Sequence, residues 1–101
     1  MNIPKTLKIG SRTIKVVIDE RTGKDGYVGT AWVDDGVIFL KKTELQELQE
    51  ITFLHEILHI IFHQLDFDTT SFNKHEDEEE WLCTTLSNSL YQVLKDNSLL
   101  R

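Results

Sequence analysis

The sequence predicts an α+β fold, in which a small antiparallel sheet packs on one helix and a second helix follows towards the C-terminus. The first forty residues are rich in β-branched residues and partly alternate between apolar and polar, which is typical of strands with one buried face. From Lys41 onwards glycine and proline are absent, and apolar residues recur with the period of a helix. The length of 101 residues suits one compact domain, and we expect residues 1–101 to form it.

Four segments of the N-terminal half are predicted to be strands. Gly10 lies between the first two segments, which we expect to form a hairpin. Asp35 and Gly36 lie between the last two, and a second hairpin is expected there because Asp and Gly tolerate the positive φ of a tight turn. The predicted strands are residues 8–9, 13–18, 30–33 and 37–40.

The C-terminal half contains two predicted helices. The first spans about residues 44–65, with Thr43 as its N-cap and Gln46 completing a capping box. A polar stretch, residues 66–74, separates it from the second helix, whose acidic beginning suits the positive end of the helix dipole. The second helix is expected over about residues 76–95, with one apolar stripe facing the core. That stripe consists of Leu82, Cys83, Leu86, Leu90, Val93 and Leu94.

Composition and charge exclude several classes of function. The chain has 11 Lys and Arg against 17 Asp and Glu, a net charge of −6, and lacks the clustered basic residues that nucleic-acid binding requires. Its most apolar stretch, residues 51–62, is too short and too often interrupted by polar residues to cross a membrane. The N-terminus does not resemble a signal peptide, and the single cysteine, Cys83, cannot form an internal disulfide. We therefore expect a cytoplasmic protein without nucleic-acid or membrane partners.

The strongest functional signal is the segment HEILH at residues 55–59, an HExxH motif. Two histidines four residues apart point to nearly the same side of a helix, so His55 and His59 can bind one metal ion. Glu56 lies about 100° further round the helix, where a general base for a metal-activated water belongs. The motif therefore predicts a catalytic zinc site.

The surroundings of the motif favour a buried site. Between residues 52 and 63 the polar side chains of this helix share one sector about 100° wide, and apolar side chains occupy nearly all the rest. A buried polar sector needs partners, and a zinc ion would provide one. The alternative is that these side chains are hydrogen-bonded core or surface residues without a metal. The sector contains Thr52, His55, Glu56, His59 and His63.

A catalytic zinc ion needs a third protein ligand, and the second helix is its best source. Stepping back along the apolar stripe at about 100° per residue places Glu79 near the centre of the core-facing side. A carboxylate in that position is unfavourable without a cation, so Glu79 is the predicted ligand. Glu76 is the second candidate and His75 the third. The acidic residues expected to face solvent are Asp77, Glu78 and Glu80.

These features resemble the zincin metallopeptidases and, more narrowly, the small ImmA/IrrE-type and phage-encoded metallopeptidase-like proteins. The resemblance rests on residues 52–61 around the motif and on residues 79–82 and 90–97 of the second helix. It covers about residues 43–97. The fold that it implies is a minimal zincin-like domain, in which an edge strand of the sheet holds the peptide substrate. Here that strand would be residues 31–33 or residues 37–40.

The predicted activity is zinc-dependent hydrolysis of peptide bonds. His55, His59 and Glu79 would hold Zn²⁺, and Glu56 would take a proton from the attacking water and pass it to the leaving amine. His63 would help to bind substrate or to stabilise the negative charge of the tetrahedral intermediate. The alternatives are that it contacts a metal ligand without binding the metal, or that it is simply exposed. The resemblance implies a protein or peptide substrate, such as a repressor of a phage or mobile element.

Two alternatives to the peptidase remain open at this point. The first is a zinc-containing regulator that binds a protein, as an antirepressor does, but cleaves nothing. The second is an interaction module without metal. The enzyme is favoured because a purely structural zinc site has no use for Glu56 beside an open coordination position.

Overall fold

The computed structural model of the protein describes residues 1–20, 28–64 and 76–100. Within these ranges it contains four strands and two helices, in the order that the sequence predicts, and the α+β class is confirmed. The predicted helix end at Leu65 and the polar stretch at residues 66–74 lie outside the described residues. The elements are β1 (Thr6–Ile9), β2 (Arg12–Asp19), β3 (Gly29–Trp32), β4 (Val37–Lys41), α1 (Gln46–Gln64) and α2 (Glu76–Asp96).

The strands form one mixed sheet in the order β1-β2-β4-β3. β1 pairs antiparallel with β2 and β3 pairs antiparallel with β4, as the two predicted hairpins require. The central strands β2 and β4 pair in parallel, with Val16 opposite Ile38, so the prediction of an antiparallel sheet is wrong at this pair. Parallel pairing requires a long connection, and here that connection includes β3. The edge strands are therefore β1 and β3, and β4 is not an edge.

The core lies between one face of the sheet and α1. In β2, Ile14 and Val16 are buried and Lys15 between them is exposed, as expected of a strand with one covered face. α2 packs against α1 and, among the described residues, makes no substantial contact with a strand. α1 is thus covered from two sides, which explains its apolar residues on nearly every face. The buried cluster comprises Ile9, Ile14, Val16, Ile38, Leu40, Phe53 and Ile60.

Neither helix in the described part of the chain combines the length and the apolar character that a membrane span requires.

The beginning of α1 differs from its prediction. The helix starts at Gln46, and the Thr43 hydroxyl accepts a hydrogen bond from the backbone N–H of Leu45 (3.1 Å), in the turn before the helix. The Gln46 side chain donates to Glu50 (3.2 Å) and does not turn back to Thr43. The predicted capping box is therefore wrong, because a buried carboxylate competes for the Gln46 amide.

β3 approaches α1 closely because its first residue is a glycine. A Cβ atom on Gly29 would lie 2.5 Å from Cγ2 of Thr52, far inside van der Waals contact. Thr52 is buried, and its hydroxyl donates to the carbonyl oxygen of Leu48 (2.7 Å). The start of this edge strand therefore lies directly against the helix that carries the HExxH motif.

α1 and α2 are antiparallel, and hydrogen bonds at both ends of their contact define the axial register. In the first half of α1, Glu50 accepts a hydrogen bond from the Tyr91 hydroxyl in the last turns of α2 (2.6 Å). In the second half of α1, His59 contacts Glu79 in the first turn of α2 (2.8 Å). This register brings the acidic beginning of α2 to the two histidines.

The buried side of α2 differs from the predicted apolar stripe. Leu86 and Leu90 are 40% and 43% exposed, and Val93 is exposed as well, so their prediction as core residues is wrong. The small side chains at the buried positions allow the helices to approach closely, and the one large side chain, Tyr91, finds a hydrogen-bond partner in Glu50. The buried residues are Cys83, Ser87 and Tyr91, of which the sequence predicts only Cys83.

Glu50 is the polar centre of the helix interface. Its buried side chain accepts hydrogen bonds from Tyr91 (2.6 Å) and Gln46 (3.2 Å) and pairs with the Met1 ammonium (3.1 Å). Burial raises the pKa of the Glu50 carboxyl, but these partners outweigh burial and hold the pKa below its usual value of 4.5. The hydrogen bond to Glu50, together with burial, raises the pKa of Tyr91 to about 12.

We expect Tyr91→Phe to lower the free energy of unfolding by about 2 kcal/mol, because the buried Glu50 carboxylate loses its shortest hydrogen bond. Urea unfolding followed by circular dichroism measures this loss. Ser89→Ala, at an exposed position of the same helix, is the control and should change stability by less than about 0.5 kcal/mol. Equal stability of Tyr91→Phe and the unmodified chain would show that this hydrogen bond does not hold the helices together.

Stability should also decrease in acid. The Glu50 carboxyl has a lower pKa in the folded chain than in the unfolded chain, so its contribution is complete above the unfolded value and disappears as the pH falls through the folded value. Urea unfolding in EDTA between about pH 3 and about pH 6 should give a weaker pH dependence for Glu50→Gln than for the unmodified chain. Parallel curves for the two proteins would contradict this role of Glu50.

Candidate metal centre

The two histidines of the HExxH motif face each other on α1. Their Nε2 atoms are 3.1 Å apart, and their ring centroids are 4.9 Å apart. Both side chains are largely buried, with 13% of His55 and 21% of His59 exposed. The helix itself is held in place by the burial of Phe53 and Ile60 in the core. The motif therefore presents two ring nitrogens at one point, as its spacing predicts.

Glu80 completes a group of three around this point. One carboxylate oxygen lies 2.7 Å from Nε2 of His55, and the other lies 2.8 Å from Nε2 of His59. The side chain is 57% exposed, although both of its carboxylate oxygens contact imidazoles. The sequence predicts Glu80 on the solvent-exposed side and misses this contact.

Glu79 contacts the opposite edge of the His59 ring. Its carboxylate oxygen lies 2.8 Å from Nδ1 of His59. The neighbouring sulfur of Cys83 belongs to the same group, whose ligand atoms lie within 4.8 Å of one another. When Nδ1–H donates to Glu79, Nε2 keeps a free lone pair for a metal ion. Glu79 thus lies where a carboxylate can fix the orientation and tautomer of His59.

The structure brings together most of the predicted site residues. His55, Glu56, His59 and Glu79 all lie at the contact between the helices, while His63 is exposed one helical turn beyond His59. Of the other candidates for third ligand, His75 and the side chain of Glu76 lie outside the described residues. The assignment of Glu79 as the third ligand stays a prediction.

Glu56 is buried beside the histidines, with only 6% of the residue exposed. Burial raises the pKa of its carboxyl to about 7; the positive charge of a protonated His59 opposes this rise, and the charge of Glu80 adds to it. A carboxyl with a pKa near neutrality can both accept and release a proton, which is the property that a general base needs.

Negative charge outweighs positive charge in this cluster. Burial lowers the pKa of His59, but Cys83, Glu79 and Glu56 outweigh burial and raise it to about 10. At His55 burial dominates, and its pKa is lowered despite the neighbouring Glu80. A single bound cation would offset the excess of carboxylates.

The donor set fits a divalent metal ion of the zinc type. Catalytic zinc sites combine histidine and carboxylate ligands and leave one position open. His55, His59 and Glu80 offer ligand atoms that lie within 4.8 Å of one another. Both helices hold these atoms at a shared surface, so an ion could bind without unfolding either helix.

A cleft of about 390 Å³ opens beside the cluster. Its walls are the start of β3, the middle of α1 and the first half of α2. Glu56 and Glu80 line it near the histidines, Thr84 and Asn88 contribute polar atoms on α2, and Leu48 lies at its apolar end. The cluster is therefore accessible to a molecule that enters between the edge strand and the helices.

A comparison with known proteins identifies the family. The sequence profile of the IrrE N-terminal-like domain, a peptidase family (Peptidase_M78), matches residues 11–96. The matched range includes β2, β3, β4 and both helices. No curated protein and no solved structure matches the chain significantly. The resemblance to ImmA/IrrE-type proteins seen in the sequence is thereby confirmed.

Single substitutions of Glu79 and Glu80 should show which of them binds the metal ion and which only orients a histidine ligand. Glu80 faces both Nε2 atoms, so we expect Glu80→Gln to weaken zinc binding more than 100-fold. Glu79→Gln should weaken it by about 10-fold to about 100-fold, as the loss of a histidine's partner does. Zinc affinity is measured by competition with a chromophoric chelator, and Glu44→Gln, at an exposed position, is the control. The reverse order would support Glu79 as the ligand.

Proposed function

The chain belongs to the IrrE N-terminal-like domain family of peptidases, and we propose that it is an enzyme that hydrolyses peptide bonds with one bound Zn²⁺. One observation supports this best. His55 and His59 present their Nε2 atoms to each other and to the Glu80 carboxylate, and the buried Glu56 lies beside them. Metal-assisted hydrolysis needs two imidazoles and a carboxylate that can bind the ion, together with a second carboxylate that remains free to act as a base.

The assignment of the metal ligands follows from which histidine ring nitrogen each carboxylate contacts. His55 and His59 would bind zinc through Nε2, with Glu80 as the third ligand because its carboxylate contacts both of these atoms. Glu79 would accept the Nδ1–H of His59 and keep Nε2 directed at the ion. A site in which Glu79 takes the ligand position, as the sequence predicts, uses the same four side chains.

Glu56 is proposed as the general base. When bound, zinc would supply Lewis acidity, which polarises the scissile carbonyl and makes a water molecule more acidic. Glu56 lines the cleft, so its carboxylate can take a proton from the attacking water and later deliver it to the leaving amine. Its buried position protects this proton transfer from competing exchange with bulk solvent.

The proposed substrate is a protein or peptide that enters the cleft in an extended form. β3 is the edge strand beside α1 and can pair with such a segment, whereas β4 cannot because it lies between β2 and β3. His63 is exposed on α1 one helical turn beyond His59, and its proposed role is to contact the substrate away from the reacting atoms. A repressor of a phage or mobile element is the expected natural target, and only the resemblance supports it.

The cellular setting proposed for this activity is the cytoplasm. Cys83 is free and buried against the metal-binding side of α2. A reducing compartment keeps such a thiol from oxidation.

A second candidate function is a metal-containing regulator that binds a protein without cleaving it. The exposed apolar side chains Leu86, Leu90 and Val93 on α2 favour this candidate, since such a stripe suits a protein partner. The two functions differ in their need for Glu56, because a binding protein does not use a general base.

We expect Glu56→Gln to reduce peptide hydrolysis at least about 1,000-fold while the protein retains one equivalent of zinc, because the amide cannot accept the proton. Mass spectrometry of a peptide mixture measures cleavage, and elemental analysis measures zinc. Glu47→Gln, an exposed glutamate near the start of α1, is the matched control and should keep full activity. Equal cleavage by Glu56→Gln and the unmodified chain would overturn the proposed mechanism. No cleavage by either protein, with zinc bound to both, would favour the regulator.

A further inference from the structure

A second hollow continues the cleft along α1, away from the histidines. Its volume is about 150 Å³, and it shares Val28, Leu48 and Thr52 with the cleft beside the metal centre. Because the same three side chains line both, the two hollows are adjacent, and we refer to them together as the groove. The groove runs from Glu56 at one end to Leu45 at the other.

The far end of this groove carries three exposed aliphatic side chains, and the polar residues Lys41, Thr43 and Gln49 also line it. Val28, Leu45 and Leu48 are 41%, 65% and 39% exposed, although each is a large aliphatic residue. They belong to three different places in the chain, namely the residue before β3, the turn before α1 and the first half of α1. Covering aliphatic surface of this kind is favourable, so the hollow would bind an apolar group more tightly than a polar one.

Helix geometry gives the distance of this hollow from the reacting atoms. Leu48, Thr52 and His55 are spaced four and three residues apart, so they share one face of α1. Seven residues from Leu48 to His55 correspond to about 10 Å along the helix. An extended peptide advances about 3.3 Å per residue. A side chain in the hollow would therefore belong to a residue about three positions from the scissile bond.

We propose that Val28, Leu45 and Leu48 form a specificity subsite, which receives a large aliphatic or aromatic side chain of the substrate about three residues from the bond that is cleaved. This inference rests on the proposed peptidase function and adds a substrate class to it. The continuity of the hollow with the catalytic cleft argues for a substrate side chain as the occupant, rather than a second copy of the chain.

The test uses the zinc-loaded full chain and a positional-scanning mixture of synthetic peptides, with cleavage sites identified by mass spectrometry. We expect Leu, Ile, Phe or Met to be enriched at one position, about three residues from the cleaved bond. Leu48→Ser and Leu45→Ser should each lower kcat/KM at least about 10-fold for a preferred peptide. For the same peptide with alanine at that position, the change should be less than about 2-fold, because the subsite is then empty.

Leu99→Ser is the matched control, since Leu99 is 62% exposed, close to the 65% of Leu45, but lies after α2 and outside the groove. It should keep the apolar preference and the unmodified kcat/KM. Circular dichroism and zinc content establish that every variant is folded and loaded.

Four outcomes would overturn the subsite. Cleavage without an apolar preference, or with a preference that both groove variants retain, contradicts the subsite and leaves the peptidase function intact. Self-association of the unmodified chain in sedimentation, abolished by Leu48→Ser, would identify a second copy as the occupant. If the zinc-loaded chain cleaves no peptide, the proposed function fails, and the subsite fails with it.

Discussion

The axial register of two antiparallel helices is the constraint on which this site depends. α1 carries His55 and His59, and among the described residues the third member of their group, Glu80, comes from α2. The buried hydrogen bond between Tyr91 and Glu50 holds α2 at one height on α1. A slip by one helical turn, about 5.4 Å, would remove Glu80 from its contacts of 2.7 and 2.8 Å with the two imidazoles.

The crowding of carboxylates at the end of this interface works against the stability of the metal-free chain. Glu56, Glu79 and Glu80 lie around two imidazoles, of which one has a strongly raised pKa. Uncompensated charge of this kind is costly in a partly buried place, and proteins retain it chiefly where function requires it. Binding of a cation would therefore contribute to folding as well as to chemistry, because the ion binds the folded site and not the dispersed ligands.

Much of this architecture is predictable from the sequence, and the errors have physical causes. The HExxH spacing alone predicts the two histidines and the base, since a single regular helix positions all three. The side chain that joins the two histidines depends on the rotation of α2 about its own axis. The leucine stripe in the sequence predicts this rotation wrongly by about a quarter-turn. The buried side uses Ser87 and Tyr91 in place of Leu86 and Leu90, because close helix approach and a hydrogen bond to Glu50 outweigh the burial of leucine. The parallel pairing of β2 and β4 likewise depends on a long connection that local turn signals do not reveal.

The contact between Gly29 and Thr52 sets how closely β3 lies against α1 beside the cleft. One wall of the cleft is the main chain at Gly29, which lies close to the Thr52 side chain of α1. Under the proposed function, a substrate segment that pairs with β3 would have to be extended, because strand addition uses the backbone of both segments. Folded proteins would then become accessible only through exposed loops or tails, and target choice would depend on local unfolding as much as on sequence.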